Sequence, residues 1–196
     1  MTEILLDKFL NVFNNNILPL TLKGVDSGNK IFGAAIIKKD DYSLVVAGSN
    51  NETENPLWHG ETYTLKKFYE INKKKRPEEK NCIFLTSHEP CSLCLSAITF
   101  SGFDNFYYLF PYESTDSKFN IPHDLNILKE VFNVTDGKYV KENSYWKSYN
   151  INTLVNKLKE SNKKNLADSF NEIKKIYFDL SEKYQSSKEE NYIPLK

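Results

Sequence analysis

Two short runs carry residue types that can do chemistry together: His59-Gly60-Glu61 in the first third of the chain and Pro90-Cys91-Ser92-Leu93-Cys94 near its middle. Zinc favours imidazole nitrogen and thiolate sulfur, and a catalytic zinc keeps three protein ligands so that water takes the fourth tetrahedral position. His59, Cys91 and Cys94 supply three. The cysteines stand at i and i+3, which puts both sulfurs on one face of a helix, and Pro90 suits the first helical position, where no N–H bond is lost. At the positive end of a helix dipole both thiols are favoured in their deprotonated, metal-binding form. Glu61 lies two residues from His59 and projects in another direction, as a base facing the bound water and not as a fourth ligand. A zinc-bound water can have a pKa near ~7. The expected chemistry is hydrolytic, with metal-bound hydroxide as the nucleophile and Glu61 as the group that moves protons.

A C-x-x-C pair also serves structural zinc sites and redox pairs. A structural site wants a fourth ligand, and the third cysteine, Cys82, lies in an apolar run that predicts a strand with its sulfur packed inside. His88 and His123 remain as candidates. His88 precedes Cys91 too closely to be an easy ligand and reads as a pocket wall or an outer partner of the site. The His-x-Glu upstream favours the catalytic reading.

At 196 residues, with 40% hydrophobic and 14% aromatic residues, the chain has the size and composition of one globular domain with its own core. Its 26 basic residues are balanced by 26 acidic ones, whereas phosphate-binding proteins show a basic balance or face. The run Lys73-Lys74-Lys75-Arg76 reads as a solvated helix end, so nucleic acid is a disfavoured partner that stays open. Three cysteines, two assigned to metal, leave no disulfide framework. The start, Met1-Thr2-Glu3 with Asp7-Lys8 inside the apolar run, predicts no secretory leader, and no apolar stretch suffices to cross a bilayer. A cytoplasmic protein with no membrane association is expected.

The elements that position the two runs follow in order. Ile4, Leu5, Phe9, Val12 and Phe13 predict a helix ending at Asn14-Asn15-Asn16, followed by a loop through Pro19 and Gly24 to Gly28. Strands are expected over Ile31–Ile37 and Ser43–Ala47, a helix from His59 to about Ile71, a strand over Cys82–Thr86, a helix through Ala97 to Phe100 and a strand over Asn105–Phe110. Both metal runs then sit at helix N-termini fed by strands, where ligands collect in open α/β sheets. Pro111 to Asn120 reads as a loop, with Tyr112, Glu113, Asp116 and Phe119 able to reach over the pocket. Pro122 to Phe132 reads as a helix, Val131 to Val140 as containing a fifth strand, and Leu154 to Leu158 and Leu166 to Tyr184 as two further helices. The tail Glu189–Lys196 is loose unless Tyr192, Ile193 and Leu195 dock. The expected organisation is a zinc-bearing domain over residues 1–150 and a helical extension over 151–196 packed on that domain.

Several residues have two readings. Asn50 could read a base edge through its amide or, with Asn51, stabilise a turn. Trp58 could wall a planar substrate or pack in the core. Phe119, His123 and Asp124 are candidate substrate contacts, with a structural role favoured for His123.

The runs Phe32-Gly33-Ala34-Ala35, Gly48-Ser49-Asn50, Pro56-Leu57-Trp58-His59-Gly60-Glu61 and Glu89-Pro90-Cys91-Ser92-Leu93-Cys94-Leu95-Ser96-Ala97-Ile98 resemble the cytidine deaminase-like superfamily, in the branch holding guanine deaminase, cytosine deaminase and the tRNA adenosine deaminase. The resemblance spans roughly Ile31 to Phe132. It implies a three-layer α/β fold with a five-stranded mixed sheet flanked by helices, here with extra C-terminal helices. It implies Zn2+ on His59, Cys91 and Cys94, Glu61 as proton shuttle, Asn50 as a substrate-binding residue, with Glu89 also expected among the substrate contacts, and a homodimer. The implied activity is hydrolytic deamination of a small nucleobase or nucleoside, a hydrolase reaction on a C–N bond of a cyclic amidine. The alternatives are tRNA adenosine deamination and a non-catalytic zinc-bearing partner subunit, a role in which the glutamate retained here as Glu61 is characteristically lost. Relatives acting on purines often carry alanine between the histidine and the glutamate, and the Gly60 seen here is shared with fungal-type cytosine deaminase, so the triplet does not name the base.

Overall fold

Five strands form one mixed sheet in the computed structural model, which describes residues 2–196 apart from the side chains of residues 115–118 and 161–162. The strands are β1 (Gly33–Lys38), β2 (Leu44–Ser49), β3 (Cys82–His88), β4 (Asn105–Phe110) and β5 (Lys147–Asn150), in the order β2-β1-β3-β4-β5. β1 runs antiparallel to both β2 and β3, while β3, β4 and β5 are parallel. Every residue of β3 is buried. A strand covered on both faces reads as a continuous apolar run, which is why Cys82-Ile83-Phe84-Leu85 lacks alternation.

Side chains of a strand alternate between faces, and here they divide the interior into two cores. Ala35, Ile37, Ile83, Leu85 and Leu109 enter one core; Ala34, Ile36, Phe84, Phe106 and Tyr108 enter the other. The first core is closed by helices from the two ends of the chain. These are α1 (Thr2–Val12) and α2 (Leu18–Asp26) from the N-terminal part, and α7 (Ile151–Asn156) and α8 (Glu160–Ser187) from the C-terminal part, with Phe9, Phe13, Ile17, Phe170, Ile173, Tyr177 and Tyr184 buried together. The second core is smaller and packs Leu65 and Phe68 of α3 (Gly60–Glu70), Ile98 of α4 (Ser92–Phe100), Phe103 and Trp146 against the opposite face. α5 (Tyr112–Phe119) and α6 (His123–Phe132) lie between β4 and β5 in sequence. Among the described residues no helix is long and apolar enough to cross a membrane.

Three local expectations are corrected. The first helix does not end at Asn14-Asn15-Asn16: a wide turn over Phe13–Ile17, in which the Leu18 N–H donates to the Phe13 carbonyl, carries it into α2. An i→i+5 turn admits one surplus residue and eases the clash that Pro19 would make with the carbonyl four residues back. The segment after β4 is helical, because Tyr112 and Phe119, seven apart, bury on one face at 2% and 1% exposure. The Asp116 side chain expected there lies outside the described residues. The fifth strand is Lys147–Asn150 and not within Val131–Val140, where Asn133, Asp136 and Gly137 all take positive φ and break any extended run.

Candidate metal centre and pocket

Both metal runs meet at helix starts. His59 is the N-cap of α3 and Cys91 the N-cap of α4, each in extended backbone geometry and neither using its side chain to cap. A residue at this position normally turns its side chain onto the helix's free N–H groups. Here imidazole and thiol turn instead toward each other. Pro90 therefore sits one residue before the cap and not at the first helical position, and Cys91 and Cys94 hold the cap and third helical positions. That is the spacing of a capping box, used to converge two sulfurs.

The N-terminus of α3 is capped from a distance: the Gly60 N–H donates to Asn50 Oδ1 at 2.5 Å. Asn50 also donates from its backbone N–H to the Phe32 carbonyl at 2.9 Å, which ties the loop after β2 to the start of β1. α3 lies so close to β1 that a Cβ on Gly60 would stand 2.8 Å from the Phe32 carbonyl oxygen and 2.9 Å from Gly33 Cα.

His59 Nδ1 is 3.4 Å from Cys91 Sγ and 3.7 Å from Cys94 Sγ. With Zn–N near ~2.0–2.1 Å and Zn–S near ~2.3 Å at tetrahedral angles, the N···S edge of a zinc site is about 3.6 Å. One imidazole and two thiols with ligating atoms all within 4.8 Å thus fit Zn2+. Glu61, 5% exposed, places Oε2 3.3 Å from Cys94 Sγ.

Within the cluster the charges are strongly linked. Burial pushes the Glu61 carboxyl up to about 7, and the neighbouring Cys91 thiolate adds to the rise. Burial opposes the charged form of His59, but the Cys91 sulfur and the carboxylates of Glu52 and Glu61 outweigh it and hold the imidazolium up to about 9. The Cys94 thiol and His59 stabilise Cys91 as thiolate, well below the ordinary range, while burial and that thiolate drive Cys94 well above it. A bound cation takes the place of those protons.

His59 and Cys91 open onto a cavity of about 240 Å³. Its walls include Lys30, Glu52, His123 and Asp124, and Ile193, Pro194 and Leu195 of the C-terminal tail. The tail therefore docks: Ile193 is 3% exposed, and the Lys196 carbonyl stands 2.9 Å from His123 Nε2, while Tyr192 points to solvent. Burial pushes the Asp124 carboxyl well up, with the charges of Cys91 and Glu61 adding and that of His59 opposing.

Other expected contacts lie away from the cavity wall. Trp58 turns toward Tyr63, with ring centroids 6.4 Å apart. Glu89 is turned to the far side, accepting from the Tyr112 N–H at 3.1 Å, from Tyr139 Oη at 2.7 Å and from Lys141 Nζ. Phe119 is 1% exposed and stacks on Phe178 in the aromatic core. His88 is caged by Phe32, Phe110, Phe119 and Tyr177, and burial holds its imidazole down at about 3. Asn50 is buried, its Oδ1 on Gly60 and its Nδ2 donating to Glu52 Oε2 at 2.6 Å. Asn51 holds the turn, its N–H donating to the Trp58 carbonyl at 2.8 Å. In the basic run, Lys73 to Lys75 are exposed and Arg76 lies 4.5 Å over the Tyr69 ring.

Sequence reasoning passed over the Lys30–Glu52 pair. A lysine directly ahead of the apolar run Ile31–Ile37, and a glutamate two residues after Asn50, were the available signals.

Residues 13–110 match the family described as the cytidine and deoxycytidylate deaminase zinc-binding region. The chain is 34% identical over 89 residues to guanine deaminase of Bacillus subtilis, covering 44% of this chain and 54% of that protein. It is 35% identical over 77 residues to a probable cytosine deaminase of Schizosaccharomyces pombe, covering 39% and 45% respectively. The matched segments span about half the length of these curated relatives. Among solved structures, guanine deaminase from Bacillus subtilis superposes with a TM-score of 0.50 at 26% identity, over 68% of this chain and 80% of that one. A variant protein crystallised with 8-azaguanine shares the fold, with a TM-score of 0.50 at 16% identity over 83% of this chain and 80% of that one.

Proposed function

The chain belongs to the cytidine and deoxycytidylate deaminase zinc-binding family, and on that premise we propose that it is a zinc-dependent hydrolase that deaminates a small aminated nucleobase or nucleoside of the guanine or cytosine type. The observation that carries this reading is a buried carboxylate, Glu61, in contact with one sulfur of a His/Cys/Cys set whose outer members face a cavity. Zinc bound there would act as a Lewis acid that makes water nucleophilic near neutral pH.

His59 Nδ1 and the sulfurs of Cys91 and Cys94 would hold the metal. Glu61 takes the proton released by the attacking water, gives it to the ring nitrogen beside the amine, and carries a second proton to the amine so that ammonia leaves. Water and the aminated base become the oxo base and ammonia. Pro56 and Leu57 on one side and Ile193 to Leu195 on the other wall the cavity with apolar groups, which limits water at the reacting carbon. Pairing with a second copy of the chain is proposed through the exposed Phe100 at the end of α4, 94% accessible.

Incubating the zinc form with guanine, cytosine, adenosine, cytidine, their nucleotides and tRNA tests the proposal through ammonia release. Ammonia from guanine or cytosine is the expected result. Zinc-loaded protein that releases none from any member of the panel would overturn it.

A further inference from the structure

Lys30 Nζ donates to Glu52 Oε1 at 2.7 Å, and the two side chains are only 6% and 1% exposed. Withdrawing both charges from water is expensive, and an apolar pair of similar volume is often as stable or more so. A buried ion pair in the cavity wall therefore calls for a use beyond stability. A hydrogen-bond count suggests one. An ammonium has three donors; one goes to Glu52, the one hydrogen bond that Lys30 Nζ makes among the described residues, and the Asp124 carboxyl in the same wall feels its charge without bonding to it. A carboxylate has about four acceptor sites; among the described residues one is taken by Lys30 and one by Asn50 Nδ2. Both side chains line the cavity that His59 and Cys91 face. The wall thus offers an unused donor beside an unused acceptor.

The position of the pair matters as much as its valence. His59 turns Nδ1 to the two sulfurs, and its other ring nitrogen, Nε2, lies 3.8 Å from Glu52 Oε1. The pair is set back from the metal-ligating atoms by the width of an imidazole, close to the width of one ring of a base. A base held with its amine-bearing carbon at the metal end presents its far edge here. In free cytosine that edge is N1–H beside O2. That is a donor next to an acceptor, the complement of Glu52 beside Lys30. In a nucleoside the sugar replaces that hydrogen. Asn50, whose amide is engaged on both sides by Gly60 and Glu52, orients the carboxylate. The cavity, at about 240 Å³, is smaller than the roughly 300–1,000 Å³ of pockets for drug-sized ligands.

We infer that Lys30 and Glu52 read the glycosidic edge of the substrate, Glu52 accepting the ring N–H and Lys30 donating to the neighbouring acceptor, so that the free base is selected over its nucleoside. The inference rests on the proposed deaminase activity and adds the substrate form to it.

The test compares kcat/KM for cytosine against cytidine in the zinc-loaded protein. A site built to bind a polar hydrogen rejects the analogue lacking it by about 10⁴–10⁵-fold at best, and a preference of at least about 100-fold for the base is expected here. The volume-matched double variant Lys30→Met/Glu52→Leu should keep its zinc content and circular dichroism while this preference falls at least about tenfold. Equal use of base and nucleoside by the parent, or an unchanged preference in the folded, zinc-loaded double variant, would overturn the inference. The parent's own ratio decides the matter if the double variant does not fold. Should nothing be deaminated, the activity fails by itself. Calorimetric binding of cytosine against cytidine then reads the pair alone, with equal binding overturning the inference and base-selective binding supporting it.

Discussion

The two faces of the sheet are built on different principles. On one, four helices from the two ends of the chain bury an aromatic-rich core. On the other, α3 and α4 cover a smaller core and converge His59, Cys91 and Cys94 at their N-termini. The larger apolar core lies on the first face and the candidate metal centre on the second. A strained or charged cluster such as Glu61 among thiols is tolerable only on a platform held by something else.

That contrast makes separable predictions. Glu61→Gln should lower kcat by about 10²–10⁴-fold, the usual worth of a positioned acid–base group, with zinc content by atomic absorption and the urea midpoint unchanged. A variant that keeps its rate would remove Glu61 from the chemistry. On the opposite face, Phe170→Ala should cost about 3–5 kcal/mol in urea unfolding, as for other fully buried aromatic truncations, while the folded fraction binds zinc at the parent's stoichiometry. Loss of zinc from still-folded Phe170→Ala protein would show that the two faces are not independent.

His88 joins the faces, since it ends β3 three residues before Cys91 and packs among the aromatics of the first core. Its folded pKa is about 3, against an ordinary ~6.5 in the unfolded chain. Between those values the unfolded chain takes up a proton that the folded chain refuses. His88's contribution is fully present above about pH 6.5 and declines on acidification toward pH 3, by up to about 1.4 kcal/mol per unit. Urea unfolding at pH 7 and pH 4.5 should show a smaller acid loss in His88→Phe than in the parent. Acid also strips zinc from thiolates, but both proteins share those ligands, so equal losses would refute the assignment.

The metal face was legible in the sequence because its chemistry is local: His59 and Glu61, and Cys91 and Cys94, are near neighbours whose spacing alone specifies helix-start geometry. The strands were legible from apolar runs such as Cys82–Leu85. The rest depended on distant contacts. The wide turn at Phe13–Ile17, the burial of Phe119 and the docking of Ile193 are decided by what the sheet and α8 present to them, and no window of local sequence contains that information. β5 was misplaced because Lys147–Asn150 carries no apolar alternation and is a strand chiefly by pairing with β4. Lys30 and Glu52, 22 positions apart, become partners only once the loop after β2 folds back over the start of β1.

The middle letter of the His-x-Glu triplet acquires a mechanical meaning from this geometry. At position 60 even a methyl group would strike the backbone of the adjacent strand, so glycine is what lets α3 press that closely against the sheet. A chain with alanine in this place has to seat its helix farther out. The residue is thus a gauge of interlayer spacing.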